Sequence, residues 1–251
     1  LMTQLDVLVI AAHPDDAEIS AGGTILRLVD AGARVGVLDI TRGEMGTRGT
    51  REDRAAEAER ATELLGLTWR GNLDQPDGRV EVTIEAREAL AKLLRELQPE
   101  LVLAHHLDDP HPDHEASARL AKEAWYLSGL KQLAKLTGGA DAKRPGQLAH
   151  FMSHTPFEPT FVVDIESVWE RKREAVLAYA TQFQASDAGD DGKHFLYGVD
   201  ILERVETKAR TYGERIGGRY GEPILCREAV SFDDPLIRWL ASSARPATGS
   251  R

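Results

Sequence analysis

Leu5-Asp6-Val7-Leu8-Val9-Ile10-Ala11-Ala12, followed at once by His13-Pro14-Asp15-Asp16, decides the fold. Apart from Asp6 the first eight residues are apolar. A segment apolar on both faces reads as a central strand of a parallel sheet. The same grammar repeats outward from it. Residues 25–31 read as a helix after Ala21-Gly22-Gly23-Thr24, whose glycines permit a tight approach to it, and residues 34–40 read as the next strand. A loop rich in Gly, Thr and Arg occupies 41–51. Helix 53–65, short strand 67–70, helix 83–97 and strand 101–105 follow. Pro112 suits the first turn of a further helix ending near Leu127. This alternation predicts an α/β, Rossmann-like fold, a mostly parallel sheet with helices on both faces. The second half is less regular. Strands at 148–154 and 160–164, an exposed connection over 131–145, a long amphipathic helix at 166–183, a mobile loop at 184–193 and a last helix at 200–216 are expected. Nothing splits the chain, so residues 1–251 read as one domain with a frayed tail at 244–251.

Composition narrows the function. The net charge of −10 argues against nucleic acid or an anionic membrane as the main partner, since both select a basic face. The single cysteine, Cys226, excludes an internal disulfide or a paired-cysteine metal site, and fits a small, partly buried residue in a reducing compartment. No membrane span and no secretory signal are visible. A cytoplasmic enzyme of small molecules is the expectation.

Every chemically suggestive cluster falls just after a strand: His13–Asp16, Thr41–Glu44, Asp74–Asp77 and Asp108–His114. Open parallel sheets bind ligands outside the carboxyl ends of their strands, so a metal site is expected there. In His13-Pro14-Asp15-Asp16, residues three apart can face one point while Asp15 projects elsewhere. His114, in the first turn of its helix, can point back toward them. Two imidazoles and one carboxylate, His13, His114 and Asp16, form the open ligand set of a catalytic zinc, and Fe2+ accepts the same donors. Metal-bound water has a lowered pKa, and Asp15 is placed as its general base. His111 is free to donate to an oxyanion, and Asp113 to orient an imidazole. His105 and His106 finish a strand, and Asp108 and Asp109 read as a solvated turn. Arg42, Glu44, Arg48, Arg51 and Arg54 crowd one loop and helix start. Arg42, Glu44 and Arg54 are the candidate substrate contacts there, suited to an anionic group, although Arg54 and Glu57 are spaced to pair along a helix. His150, His154 and His194 have no ligand-like spacing; His154 follows a strand and is placed either as a structural histidine or to reach the pocket, and His194 follows a mobile loop, either as a surface residue or as part of a lid. No GxGxxG and no GxSxG elbow occurs.

On these residues the chain resembles the PIG-L or LmbE-like N-acetylglucosaminyl deacetylases. The carriers are Ala12-His13-Pro14-Asp15-Asp16-Ala17-Glu18, Gly22-Gly23-Thr24, Thr41-Arg42-Gly43-Glu44-Met45-Gly46-Thr47 with Arg54 and Glu57, and His111-Pro112-Asp113-His114. Within the family it is most similar to the branch that deacetylates N-acetylglucosaminyl malate in bacillithiol biosynthesis. Asp74-Gln75-Pro76-Asp77, Arg144-Pro145, 157–165 and 178–183 suggest that branch. The resemblance implies zinc on His13, Asp16 and His114, and Asp15 as base. It implies a protonated His111 at the oxyanion, Asp113 as the carboxylate beside it, and Arg54 on substrate. It also implies a homo-oligomer, with hexamers frequent in the branch. Other N-acetylglucosamine conjugates, inositol-linked or chito-oligosaccharide, and thiol-conjugate amides stay open as substrates. A metal- or sugar-binding protein without turnover is the reading from another class, and it has no use for Asp15 and His111.

Overall fold

The computed structural model describes residues 3–46, 48–183 and 200–229. The expected mobile loop at 184–193, His194 and the tail at 244–251 lie outside them. In chain order the elements are β1 (Val7–Ala11), α1 (Asp16–Asp30), β2 (Val35–Asp39), α2 (Arg51–Leu65), β3 (Trp69–Asn72), α3 (Ile84–Leu97), β4 (Leu101–His105) and α4 (Pro112–Ser128). Then come α5 (Lys131–Thr137), β5 (Gln147–Phe151), β6 (Phe161–Asp164), α6 (Trp169–Leu177), α7 (Ala180–Phe183), α8 (Ile201–Arg215) and β7 (Gly221–Cys226). A seven-stranded sheet runs β3-β2-β1-β4-β5-β7-β6. The first five strands in that order pair in parallel, and β7 runs antiparallel to β5 and β6. The expected α/β architecture is the one observed.

Alternation along β1 divides the core. Val7, Val9 and Ala11 pack with α1, α6 and α8, whereas Leu8 and Ile10 pack with α3 and α4. All five β1 residues are buried. The chain leaves β1 for β2 on one side and for β4 on the other. The crevice at the carboxyl ends of β1 and β4 is therefore the topological switch point.

Four expectations are corrected. Helix α1 begins at Asp16, so Gly22 and Gly23 lie inside it rather than ahead of it. A Cβ on Gly23 would stand 2.6 Å from Ile165 Cγ2, so glycine is what lets α1 approach the end of β6. The expected 166–183 helix is a 3-10 turn at Glu166–Val168 followed by α6 and α7. The break comes where Tyr179 turns inward and its hydroxyl donates to the buried Glu18 carboxylate at 3.2 Å. The exposed connection after α4 contains α5, pinned by buried Arg95 through Thr137 Oγ1, Gly138 O and Ala140 O. Finally β7 went unread, because Glu222 and Pro223 are poor strand residues. Pro223 sits just beyond the stretch paired with β5, and Glu222 accepts from Gly23 N, Thr24 N and the buried Lys172 amine. Among the described residues no helix is long and apolar enough to cross a membrane.

Candidate active site

The turn after β1 separates two neighbouring carboxylates. Asp15 has φ 118° and ψ −28°, which a non-glycine residue rarely adopts and which costs on the order of 1–3 kcal/mol. Asp16 then starts α1 and faces His13, with His13 N donating to Asp16 Oδ2 at 2.9 Å and Nδ1 standing 3.2 Å from it. Asp15 turns toward Arg54, whose Nη1 is 3.5 Å away and whose Nη2 donates to Pro14 O at 2.6 Å. Arg54 is buried on α2, a helix fixed at its start by a capping box between Thr50 and Asp53.

The second cluster sits on the first turn of α4. His111 is its N-cap, and its Nδ1 accepts from Asp113 N at 3.2 Å. His114 Nε2 comes within 3.3 Å of Asp16 Oδ1, while its Nδ1 is 3.1 Å from Asp109 Oδ1. The ligand atoms of His13, Asp16 and His114 all lie within 4.8 Å of one another. Two overlapping sets meet the same spacing, His13–His111–Asp113 and Asp109–His114–His154.

The electrostatics favours positive charge at this point. Burial opposes protonation of His13, yet the carboxylates of Asp113, Asp16 and Asp77 outweigh it and hold the imidazole well above its ordinary range. Burial likewise opposes protonation of His114, and Asp16 and Asp109 lift it to about 9. A donor set of two imidazoles and a carboxylate, ringed by further buried acids, is chemistry that fits a divalent ion. The Asp109 carboxylate beside His114 Nδ1 favours the N–H there and leaves Nε2 toward Asp16. Asp15 behaves differently. Burial pushes its carboxyl up to about 7 against the pull of Arg54, so it can take up and release a proton near neutrality.

The structure brings His13, Asp15, Asp16, Arg54, His111 and His114 to the wall of one cavity of about 590 Å³. Arg42 and Glu44 do not line it: Arg42 pairs with Asp74, and Glu44 accepts from Asp77 N. Asp113 turns to His13 Nε2 at 3.3 Å and accepts from Gly78 N and Val80 N, so it orients His13 rather than the His111 ring. Burial first, then the neighbouring His114 and His13, lowers His111. With Nδ1 accepting from Asp113 N, the ring hydrogen of a neutral His111 stands on Nε2, and the lowering favours that form over the protonated one expected. Arg54 does not pair with Glu57, which accepts from Thr181 N and Oγ1.

Other site residues escaped the sequence reading. Asp109 is buried and collects His114, His154 and the His111 backbone N–H. Asp77 stands 3.1 Å from His13 Nε2. Ser153 lines the cavity, as does Lys208 of α8, and so does His154, whose place after a strand had left that open. Asp77 and Asp109 carried one usable signal, their position just after β3 and β4. Lys208 carried none, being one polar residue on an amphipathic helix.

An α/β sheet whose switch point gathers two histidines and an aspartate defines a protein with a candidate divalent-metal centre. The comparisons narrow that class. Residues 8–125 match the family described as PIG-L, GlcNAc-PI de-N-acetylase. The chain is 32% identical over 237 residues to a diacetylchitobiose deacetylase of Thermococcus kodakarensis, covering 87% of this chain and 81% of that one. It is 31% identical over 199 residues to a 4-oxalmesaconate hydratase of Pseudomonas putida, 71% of this chain and 74% of that one. A probable N-acetyl-alpha-D-glucosaminyl L-malate deacetylase 2 of Bacillus anthracis is 30% identical over 190 residues, 70% and 81% of the two chains. The crystal structure of the conserved protein TT1542 from Thermus thermophilus superposes with a TM-score of 0.81 at 38% identity, covering 91% of this chain and 97% of that one. The chain belongs to the PIG-L family.

Proposed function

We propose that this protein is a divalent-metal-dependent N-deacetylase of an N-acetylglucosamine conjugate. The observation that carries the reading is the convergence of His13, Asp16 and His114 beside the strained, half-buried Asp15 in one cavity. His13, Asp16 and His114 would hold the ion, zinc in the first instance. When bound, such an ion acidifies water and polarises a carbonyl oxygen. The residues of the chain supply the rest. Asp15 takes a proton from the attacking water at its carboxylate. His111 donates its Nε2 hydrogen to the oxygen that gains charge, a contact worth roughly 3–4 kcal/mol in comparable sites. Asp15, then protonated, returns the proton to the departing amine nitrogen. Arg54 fixes the turn through Pro14 O and keeps Asp15 ionisable.

N-acetyl-alpha-D-glucosaminyl L-malate is the substrate proposed, in bacillithiol biosynthesis. The branch resemblance supports it, and so do Arg48, Arg54, Arg204 and Lys208 in the cavity wall, which suit an anionic aglycone. The reading includes a cytoplasmic homo-oligomer, a hexamer by analogy with that branch, which sedimentation of the purified protein would test. The hydratase relative favours a second reading, addition of water to an unsaturated acid.

The test is amine release by the zinc-loaded protein from the malate conjugate, an inositol-linked conjugate and diacetylchitobiose, beside loss of absorbance from 4-oxalmesaconate. Strong preference for the malate conjugate is the expected result. Release from another amino sugar keeps the chemistry and replaces the aglycone. Turnover of the unsaturated acid alone removes the deacetylase reading.

A further inference from the structure

The cavity wall contains a half-buried amine with a defined task, that of Lys208 on α8. Lys208 Nζ donates to Ser153 O at 2.5 Å and to Met152 O at 3.1 Å. Those carbonyls belong to the chain just past the end of β5, where the sheet no longer holds the backbone. Carbonyl groups at such a turn need donors, and the one amine satisfies two acceptors there.

From that turn two arms of hydrogen bonds and close charge contacts run back to the histidines and aspartates of the site. In the first, Ser153 Oγ stands 2.8 Å from His105 Nδ1. His105 Nε2 accepts from Ala12 N at 3.0 Å, one residue before His13, and lies 3.4 Å from Asp16 Oδ2. In the second, His154 N donates to Asp109 Oδ2 at 3.1 Å and its Nδ1 lies 3.0 Å from Asp109 Oδ1. The same Asp109 Oδ1 is 3.1 Å from His114 Nδ1. One arm thus ends at the His13–Asp16 turn and the other at His114. Helix α8, which precedes β7 in sequence and packs on it, is tied through the Lys208 amine to both halves of the ligand set.

Resting on the metal-site reading above, we propose that Lys208 is a positioning residue. It locks the Ser153-His154 turn, and that turn braces His13, Asp16 and His114 from outside the ligand set. Partners that orient metal ligands typically govern affinity by 10–100-fold when lost.

The experiment compares the full chain with Lys208→Met, Ser153→Ala, Ser153→Thr and the Lys208→Met/Ser153→Ala double variant. Zinc affinity is measured by competition with a chromophoric chelator, and the visible spectrum is recorded with Co2+ in place of zinc. Lys208→Met and Ser153→Ala should each weaken zinc by about 10-fold and change the cobalt spectrum. Ser153→Thr, which keeps the hydroxyl, should restore both. The double variant should be no weaker than Lys208→Met alone, because the two residues act in series. Zinc affinity and a cobalt spectrum unchanged in Lys208→Met, with a cooperative melt, would overturn the brace. If Lys208→Met does not fold, unchanged zinc affinity in Ser153→Ala overturns it instead. Failure of the unaltered chain to bind one ion is a separate result that removes the metal reading, and the brace with it.

Discussion

Asp15 shows how one residue is given its chemistry by its surroundings. The left-handed backbone at φ 118° sends its carboxylate away from Asp16, although the two are adjacent in sequence. Burial raises it and Arg54 lowers it, so the ionised fraction depends on that guanidinium. Replacing Asp15 by Asn should lower kcat by roughly 10²–10⁴-fold while zinc stays bound, as chelator competition would show. The pH profile tests the second half of this account. A general base acts ionised, so kcat/KM falls as pH drops through the pKa of Asp15. Arg54 favours the ionised form. Arg54→Met should therefore move the acid limb of kcat/KM to higher pH. A divalent ion near Asp15 lowers its pKa further in both proteins and leaves the sign of the difference unchanged. A limb that stays in place, or moves to lower pH, would dissociate Arg54 from the base.

At the scale of elements, local sequence explains most of what formed. The apolar run before His13 became β1, and Pro112 opened α4 as its fixed φ and missing N–H allow. Where the reading failed, a distant partner decided. Gly22-Gly23 looks like the approach to a helix, yet it lies within α1, where Ile165 leaves no more room at Gly23 than glycine needs and Lys172 packs against Gly22. Residues 166–183 have helical periodicity throughout, but the burial of Tyr179 against Glu18 breaks the run. Glu222 and Pro223 argue against a strand until the ladder to β6 and the Lys172 amine are seen. The glycine account makes its own prediction. Gly23→Ala improves intrinsic helix propensity by about 1 kcal/mol, yet its methyl would meet Ile165 at 2.6 Å. Overpacking of this kind costs about 1–3 kcal/mol and should win. Thermal denaturation should show a lower Tm than the parent. A higher Tm would mean that Ile165 moves aside at little cost.

Across the whole molecule, the site is legible where topology alone brings residues together and illegible where it does not. His13–Asp16 and His111–His114 each follow a strand, and β1 and β4 are neighbours, so a parallel sheet must place them at one edge. Asp109 followed the same strand but looked like any solvated turn, because its partners His114 and His154 come from two different elements. Lys208 comes to the site from α8, against the turn just past β5, and no pattern around it in the sequence marks it out. A bound ion would join α1 to α4 across this seam, and ligands that exist only in the fold convert metal affinity into stability. At a free zinc concentration about 100 times Kd, the gain is about 2.7 kcal/mol. For a chain of this length each kcal/mol shifts Tm by roughly 2–4 °C. Zinc-loaded protein should therefore melt roughly 5–11 °C above chelator-treated protein. In Asp16→Ala the two melts should coincide, because the carboxylate between the two imidazoles is gone. The gap should also close as pH falls, since protons and metal compete for His13 and His114. A parent protein whose melting ignores zinc and chelator alike would mean that protonated imidazoles balance the buried acids, and that the convergence of His13, Asp16 and His114 serves the fold rather than an ion.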